Sequence, residues 1–307
     1  MRPRVFSPIT LASLLVGLAP CAEPTMAQEA NLDPAPKIET GFAEVNGTRL
    51  YYEVAGAGDP VVLIHGNFGD RRYFDGQFEA LAGHHRVLRY DIRGYGQSMP
   101  PEEGVPYSDF DDLAELMTRL DVDRAHVAGF SMGSAIAVDF CLAFPDRCRS
   151  LIAIGPWFHG YDSPVAQAMF QAFGVIGTAA VSGGRDAALE QLLAATWWYP
   201  DKVPPRVFDR IETIWSDYAF WHFRHPDPRR TLTPPAAEQL ERMTSPTLVI
   251  TAEYDLDACR AVARQMDARI PHSTMLDLAG ATHFMFMEEP EQVNAAMLDF
   301  IDAASRR

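Results

Sequence analysis

The 307-residue chain has 48% hydrophobic and 22% charged residues and a formal net charge of −15. These proportions suit a globular protein with a sizeable core and argue against disorder or a membrane bundle. The excess of carboxylates argues against nucleic acid or an anionic membrane surface as partner, because both need concentrated Lys and Arg.

Arg2 and Arg4 precede a largely apolar stretch at residues 9–19. This predicts an export signal over residues 1–27, with cleavage after Ala27, because Thr25-Met26-Ala27 puts small residues at both positions a signal peptidase inspects. Leu18-Ala19-Pro20-Cys21 offers lipid attachment at Cys21 as an alternative, although Pro20 stands where such sites carry a small residue. Residues 28–40 read as a polar leader, and a periplasmic or secreted protein is expected. No later segment supplies ~18 uninterrupted apolar residues, so no membrane span is expected.

From residue 41 to 155, short β-like runs alternate with longer helical ones, the pattern of βαβ units. Residues 42–45 and 49–54 predict an opening hairpin. Residues 61–64, 87–90, 125–130 and 151–154 predict compact buried strands, with helices over 109–120 and 132–144. Residues 156–242 break the rhythm with Pro204-Pro205, Pro234-Pro235 and all five Trp of the chain. Amphipathic runs at 169–181, 187–198 and 206–220 make this segment a helical cap insertion. The core resumes over 243–307, with strands at 247–251 and 273–278 and helices at 256–269 and 290–303. The expected fold is α/β: a doubly wound, mostly parallel sheet of about eight strands with the cap inserted.

Gly129-Phe130-Ser131-Met132-Gly133 falls where a strand passes into a helix, and its two glycines allow the tight turn that lifts a serine above a sheet. A serine hydroxyl needs a base, and the base needs an orienting group. His283 follows the strand at 273–278 and Asp255 the strand at 247–251, so the order is Ser131, Asp255, His283, each at the carboxyl end of a strand. Asp257 is the nearest rival to Asp255, but it sits where a helix starts and reads more simply as a cap. The N–H groups of Asn67, in His65-Gly66-Asn67-Phe68, and of Met132 are the expected oxyanion donors. His65 reads as a structural brace.

Three cysteines remain beyond the signal. Cys141 and Cys148 can bridge in an oxidising compartment, or Cys141, Cys148 and Cys259 can all be buried thiols, and the sequence leaves both open. No Cys or His spacing suggests a zinc site.

Taken together, His65-Gly66, Asp91-Ile92-Arg93-Gly94-Tyr95-Gly96-Gln97-Ser98, Gly129-Phe130-Ser131-Met132-Gly133, Asp255 and Thr282-His283-Phe284 resemble the α/β-hydrolase superfamily, over roughly residues 41–303 outside the cap. Within it the chain is most similar to the capped esterase, enol-lactonase and non-haem haloperoxidase-like group. The resemblance implies neither metal nor organic cofactor, and a structural role for Asp91–Ser98. Asn after His-Gly also occurs in haloalkane dehalogenases, but Ser131 in place of Asp argues against dehalogenation and epoxide hydrolysis. Ala281-Thr282 also departs from the family's habit of Gly directly before the histidine.

Substrate selection falls to the aromatic cap. Trp157 and Phe158, which follow the strand at 151–154, are the expected lining residues, with Phe284 and Met285 beside His283. The expected activity is hydrolysis of a small to medium apolar ester or lactone through an acyl-Ser131 intermediate. Carbon–carbon bond hydrolysis of β-diketone-like substrates and a non-catalytic ligand-binding role are the alternatives.

Overall fold

The structure, a computed structural model, describes residues 37–306. The expected export signal, the Cys21 alternative and most of the polar leader lie outside the described residues.

The chain opens with β1 (Glu39–Val45) and β2 (Thr48–Ala55), joined by Asn46-Gly47, both at positive φ. Paired positive φ values match the twist of a tight two-residue hairpin. β3 (Pro60–Ile64), α1 (Asp75–Ala82), β4 (Arg86–Tyr90), α2 (Asp109–Arg119), β5 (Ala125–Phe130), α3 (Met132–Ala143) and β6 (Cys148–Ile154) follow. α4 (Pro164–Ala194), α5 (Pro205–Ser216) and α6 (Trp221–Arg224) form the cap. The core then resumes with β7 (Thr247–Tyr254), α7 (Asp257–Arg269), β8 (Ser273–Thr282), α8 (Met285–Glu288) and α9 (Pro290–Ser305).

The eight strands form one sheet in the order β1-β2-β4-β3-β5-β6-β7-β8. β2 is antiparallel to β1 and β4, and every later pairing is parallel. The central strands are apolar on both faces: Val61, Leu63, Val127 and Ile152 are fully buried. A strand covered by helices on both sides has no solvent face to mark with alternating polar residues. After β3 the chain runs outward to β4 and then crosses back to β5, so a switch point opens between the carboxyl ends of β3 and β5. Ligands of open α/β sheets bind at such points.

Three details differ from the sequence expectation. α1, entered through a 3-10 turn at Arg71–Phe74 that the Asp70 carboxylate caps, stands where no helix was expected. Its eight residues include Gly76 and only one turn's worth of buried side chains, too short for a periodicity signal. In the cap, α4 spans the two expected helices, and the break between them shrinks to a kink at Gly184 (φ 78°). α4 ends at Ala194 rather than 198, because the buried Trp198 turns back and its indole N–H donates to the Leu192 carbonyl (3.1 Å).

α4 is also long and apolar enough, with mean hydropathy 1.4, to cross a membrane by length and composition. It holds no unbroken apolar run of the expected kind, since Gln167, Gln171, Gly174, Gly177 and Thr178 interrupt it, and its Ala, Val, Ile, Met and Phe residues raise the average. Here the helix serves the cap, burying Ile176, Ala180, Ala188 and Leu192.

Cys141 and Cys148 form a disulfide, with Cα atoms 5.2 Å apart, that ties the end of α3 to the start of β6. Cys259 is a buried free thiol.

His126 on β5 lies fully buried, its ring nitrogens against the hydroxyls of Ser150 (2.8 Å) and Ser305 (3.1 Å). Burial disfavours the imidazolium and lowers its pKa from 6.5 to about 4. The unfolded chain therefore takes up a proton that the folded chain refuses, and this contribution to stability is lost as pH falls from 6.5 towards 4. At pH 5 the loss is about 2 kcal/mol, from 1.36 kcal/mol per pKa unit. Urea unfolding at pH 7 and pH 5 should show a smaller drop in His126→Gln than in the parent.

Candidate active site

Ser131 occupies a turn held by close backbone packing. Its φ of 52° lies in the region that side chains avoid. Its N–H donates to the Ile154 carbonyl (2.9 Å), and its carbonyl accepts from the Ser134 N–H (2.9 Å). A Cβ on Gly129 would lie 2.2 Å from the Gly133 carbonyl oxygen, and one on Gly133 would lie 2.1 Å from that of Ile64. Both glycines are therefore required, because β3, β5 and α3 meet there backbone to backbone. That contact lifts Ser131 above the sheet at the switch point.

The register of β7 and β8 brings Asp255 and His283 together. A shift after Ala252 pairs Tyr254 with Thr282, so the two side chains follow directly on paired residues. His283 Nδ1 lies 2.5 Å from Asp255 Oδ1. Asp255 is buried, and it also accepts from the Leu256 N–H (2.7 Å) and the Thr251 hydroxyl (3.1 Å). A carboxylate with these bonds to make has little freedom to turn away from the imidazole.

The His283 ring packs on Phe130 (centroids 4.7 Å apart) and against Gly155, where a Cβ would lie 2.8 Å from two ring atoms. Gly155 follows Ile154, which receives the Ser131 N–H, so the imidazole and Ser131 border one cavity. No hydrogen bond joins the two side chains among the described residues, and such contacts often tighten only around a substrate. Thr282, directly before His283, is fully buried and tied by its N–H (2.9 Å) and hydroxyl to Glu288. Burial raises the Glu288 pKa. Asp257 is exposed and is the first residue of α7; the His283 ring pairs with Asp255 instead and, with Leu256 as the N-cap, Asp257 is not the cap that the sequence suggested.

Met132 opens α3, so its N–H has no acceptor within the helix. Asn67 stands across the switch point, and both residues line the cavity. The Asn67 side-chain oxygen accepts from the Phe68 N–H (2.9 Å) and the Tyr95 hydroxyl (2.8 Å), while its carbonyl accepts from the Tyr73 hydroxyl (3.1 Å). His65 braces this loop: Nε2 accepts from the Ile92 N–H (2.9 Å), which leaves Nδ1–H to meet the Gly66 carbonyl (2.8 Å). Burial lowers its pKa, in keeping with a neutral ring. In the Asp91–Ser98 loop, the Asp91 carboxylate accepts from the Arg71 and Gln97 N–H groups (3.0 and 2.8 Å), a structural role.

The cavity, of about 240 Å³, is walled largely by aromatic rings, with Trp157, Trp197, Trp198, Trp215 and Phe284 among them. Phe170 lines it and is 52% exposed, marking its mouth. Phe158, expected beside Trp157, does not line it. Its ring is buried and packs edge-on against Tyr161. Met285 is also buried away from the cavity.

Two polar lining groups went unread in the sequence. Arg229 lies 3.1 Å from the buried Asp109 and 3.3 Å from the Met132 sulfur, and His159 Nδ1 lies 2.8 Å from Asp139. A bridge between Tyr107 and Arg229, 122 residues apart, carries the guanidinium there, and no local pattern announces it.

A serine on a strained turn and an imidazole held by a buried carboxylate thus border one cavity at the switch point of an α/β sheet. The sequence profile of the alpha/beta hydrolase fold family matches residues 59–290, and the chain belongs to that family. It is 27% identical over 271 residues to the AB hydrolase superfamily protein YisY of Bacillus subtilis strain 168, covering 82% of this chain and 94% of that one. The enol-lactonase of Burkholderia xenovorans LB400 superposes with a TM-score of 0.68 at 25% identity, over 85% of this chain and all of its own. An N-acyl homoserine lactone degrading enzyme gives 0.67 at 25%, again over 85% of this chain and 100% of that one.

Gly155→Ala tests how finely His283 is held. The added methyl must displace the ring, and a misplacement near 1 Å can cost about 100-fold in rate. Hydrolysis should fall by at least about tenfold while the circular dichroism spectrum stays that of the parent.

Proposed function

We propose that the protein hydrolyses a carboxylic ester or lactone, with Ser131 as nucleophile, His283 as general base and acid, and Asp255 as the group that orients the imidazole. The single observation that carries this reading is the His283–Asp255 contact of 2.5 Å, with His283 bordering the same cavity as Ser131.

In this mechanism Ser131 Oγ attacks the carbonyl carbon while His283 Nε2 takes its proton. Asp255, bonded at Nδ1, favours the resulting imidazolium. The carbonyl oxygen becomes an oxyanion facing the N–H groups of Asn67 and Met132, each worth about 3 kcal/mol in such sites. Collapse breaks the bond to the leaving oxygen, which takes the proton from His283, and the acyl group stays on Ser131. Water, deprotonated by His283, then attacks the acyl carbon and releases the acid and the free serine. With a lactone, the acid and the alcohol leave as one molecule.

The tryptophan walls favour an apolar acyl or alcohol portion, and Arg229 with His159 gives one side of the cavity hydrogen-bond donors for an acceptor on the substrate. Arg229 is already balanced by Asp109 and Asp227, so a neutral carbonyl suits it better than a second anion. The two lactone-cleaving enzymes of the same fold support this class of substrate.

A fluorophosphonate probe followed by peptide mapping should put the adduct on Ser131. Ser131→Ala should lose on the order of 10⁴-fold or more in kcat with a panel of esters, lactones, carbamates and β-diketones. Undiminished turnover by that variant would reject the mechanism, and preferential cleavage of diketones would reject the ester or lactone assignment.

Export belongs to the same proposal. Arg2, Arg4 and the apolar run at residues 9–19 support it, and so does the Cys141–Cys148 disulfide, since such bridges persist in oxidising compartments. Amino-terminal sequencing of the protein from a bacterial periplasmic fraction should begin at Gln28. Retention of the uncut chain in the cytosol would refute it.

A further inference from the structure

Cys259 has no part in the proposed hydrolysis, yet its thiol stands beside the residues that do. Asp255 folds the chain back by accepting the Leu256 N–H, which starts α7 and brings residue 259 alongside residue 255. One carboxylate oxygen of Asp255, the Cys259 sulfur and one ring nitrogen of His283 all lie within 4.8 Å of one another, and all three residues are buried. Cys259 and His283 also line the cavity, which provides a route in from outside.

We infer that Asp255, Cys259 and His283 form an inhibitory site for a thiophilic divalent cation, with Zn²⁺ as the fitting ion. Oxygen, nitrogen and sulfur donors together suit zinc, which takes four ligands in a tetrahedron and binds thiolate readily. Bond lengths of about 2.0–2.3 Å place the donors of such an ion about 3.3–3.7 Å apart. The widest separation in the cluster therefore closes by about 1 Å, and the imidazole–carboxylate contact opens by a similar amount. The fourth position falls to water from the cavity.

Binding breaks the S–H bond, whose proton leaves to solvent, and the imidazole proton moves from Nδ1 to Nε2, which frees the Nδ1 lone pair for the metal. A thiolate and a carboxylate then cancel the charge of the dication, which a buried site requires. Mg²⁺ and Ca²⁺ seek oxygen shells and would find one carboxylate and a sulfur, so they do not fit. Occupancy removes the His283–Asp255 contact, so loss of hydrolysis rests on the function proposed above, whereas metal binding does not.

The test uses the full chain in a Cys21→Ala background, so that Cys259 is the one cysteine outside the disulfide. Zn²⁺ should reduce hydrolysis by about tenfold or more, EDTA should restore it, and equimolar Mg²⁺ should leave it unchanged. Co²⁺ should bind one per chain with a thiolate charge-transfer absorption. Cys259→Ala and the closer-sized Cys259→Ser, each checked by thermal melting and each compared with itself in the absence of metal, should lose the absorption and at least about tenfold of the zinc sensitivity. Zinc sensitivity that survives in either folded variant, or a parent chain without the cobalt–thiolate band, overturns the site. A cobalt band present in a protein whose Ser131→Ala variant still turns over would sink the hydrolytic mechanism and leave the metal site standing.

Discussion

The structure depends on a contact between backbones: the α carbon of Gly133 rests against the carbonyl oxygens of Ile64 and His65, where even one methyl would lie 2.1 to 2.4 Å away. Hydrogen at that position lets α3 start directly above the gap between β3 and β5. The sheet order turns the gap into a crevice, and the crevice gathers the loops. Asn67 arrives from β3, Ser131 from β5 and Gly155 from β6, each within one or two side chains of the same point. The geometry of the site thus comes from the closest-packed part of the fold, where displacement is hardest.

Asp255 and His283 reach the same crevice by a separate device. β7 and β8 extend past the other strands and pair Tyr254 with Thr282, so their relative position is set by sheet register. The Thr282–Glu288 ties fix the residue directly before His283. A buried carboxylic group with a raised pKa holds one end of the loop, while the Gly155–Phe130 surface holds the ring itself. Two supports, one from β8 and α8 and one from β5 and β6, converge on the pair of side chains that the proposed chemistry needs.

How much of this was legible in the sequence follows from how local each cause is. The place of Ser131 was readable because its turn is written in five consecutive residues, that of Asp255 because it follows the apolar run of β7, and that of His283 because it follows a strand whose apolar residues are sparser. The mostly parallel sheet was readable for the same reason. Arg229 and His159 were not: the guanidinium depends on pairing across more than a hundred residues, and the imidazole on a carboxylate buried in α3. Trp157 and Phe158 illustrate a finer limit. They are neighbouring aromatic residues in an irregular segment after β6, where no periodicity tells which one lines the cavity. The pairing of Cys141 with Cys148 likewise needed the Cα separation, which spacing alone does not determine.

The Cys141–Cys148 bridge clamps the carboxyl end of α3, the helix whose first residue offers an amide to the cavity. A thiol-rich cytosol would leave that helix anchored only by its packing. Material produced in such a cell would share the sequence and the fold of the native molecule while lacking its covalent buttress. The redox state in which the chain is kept is in this sense part of its mechanical specification, and a recombinant preparation inherits the redox history of its host.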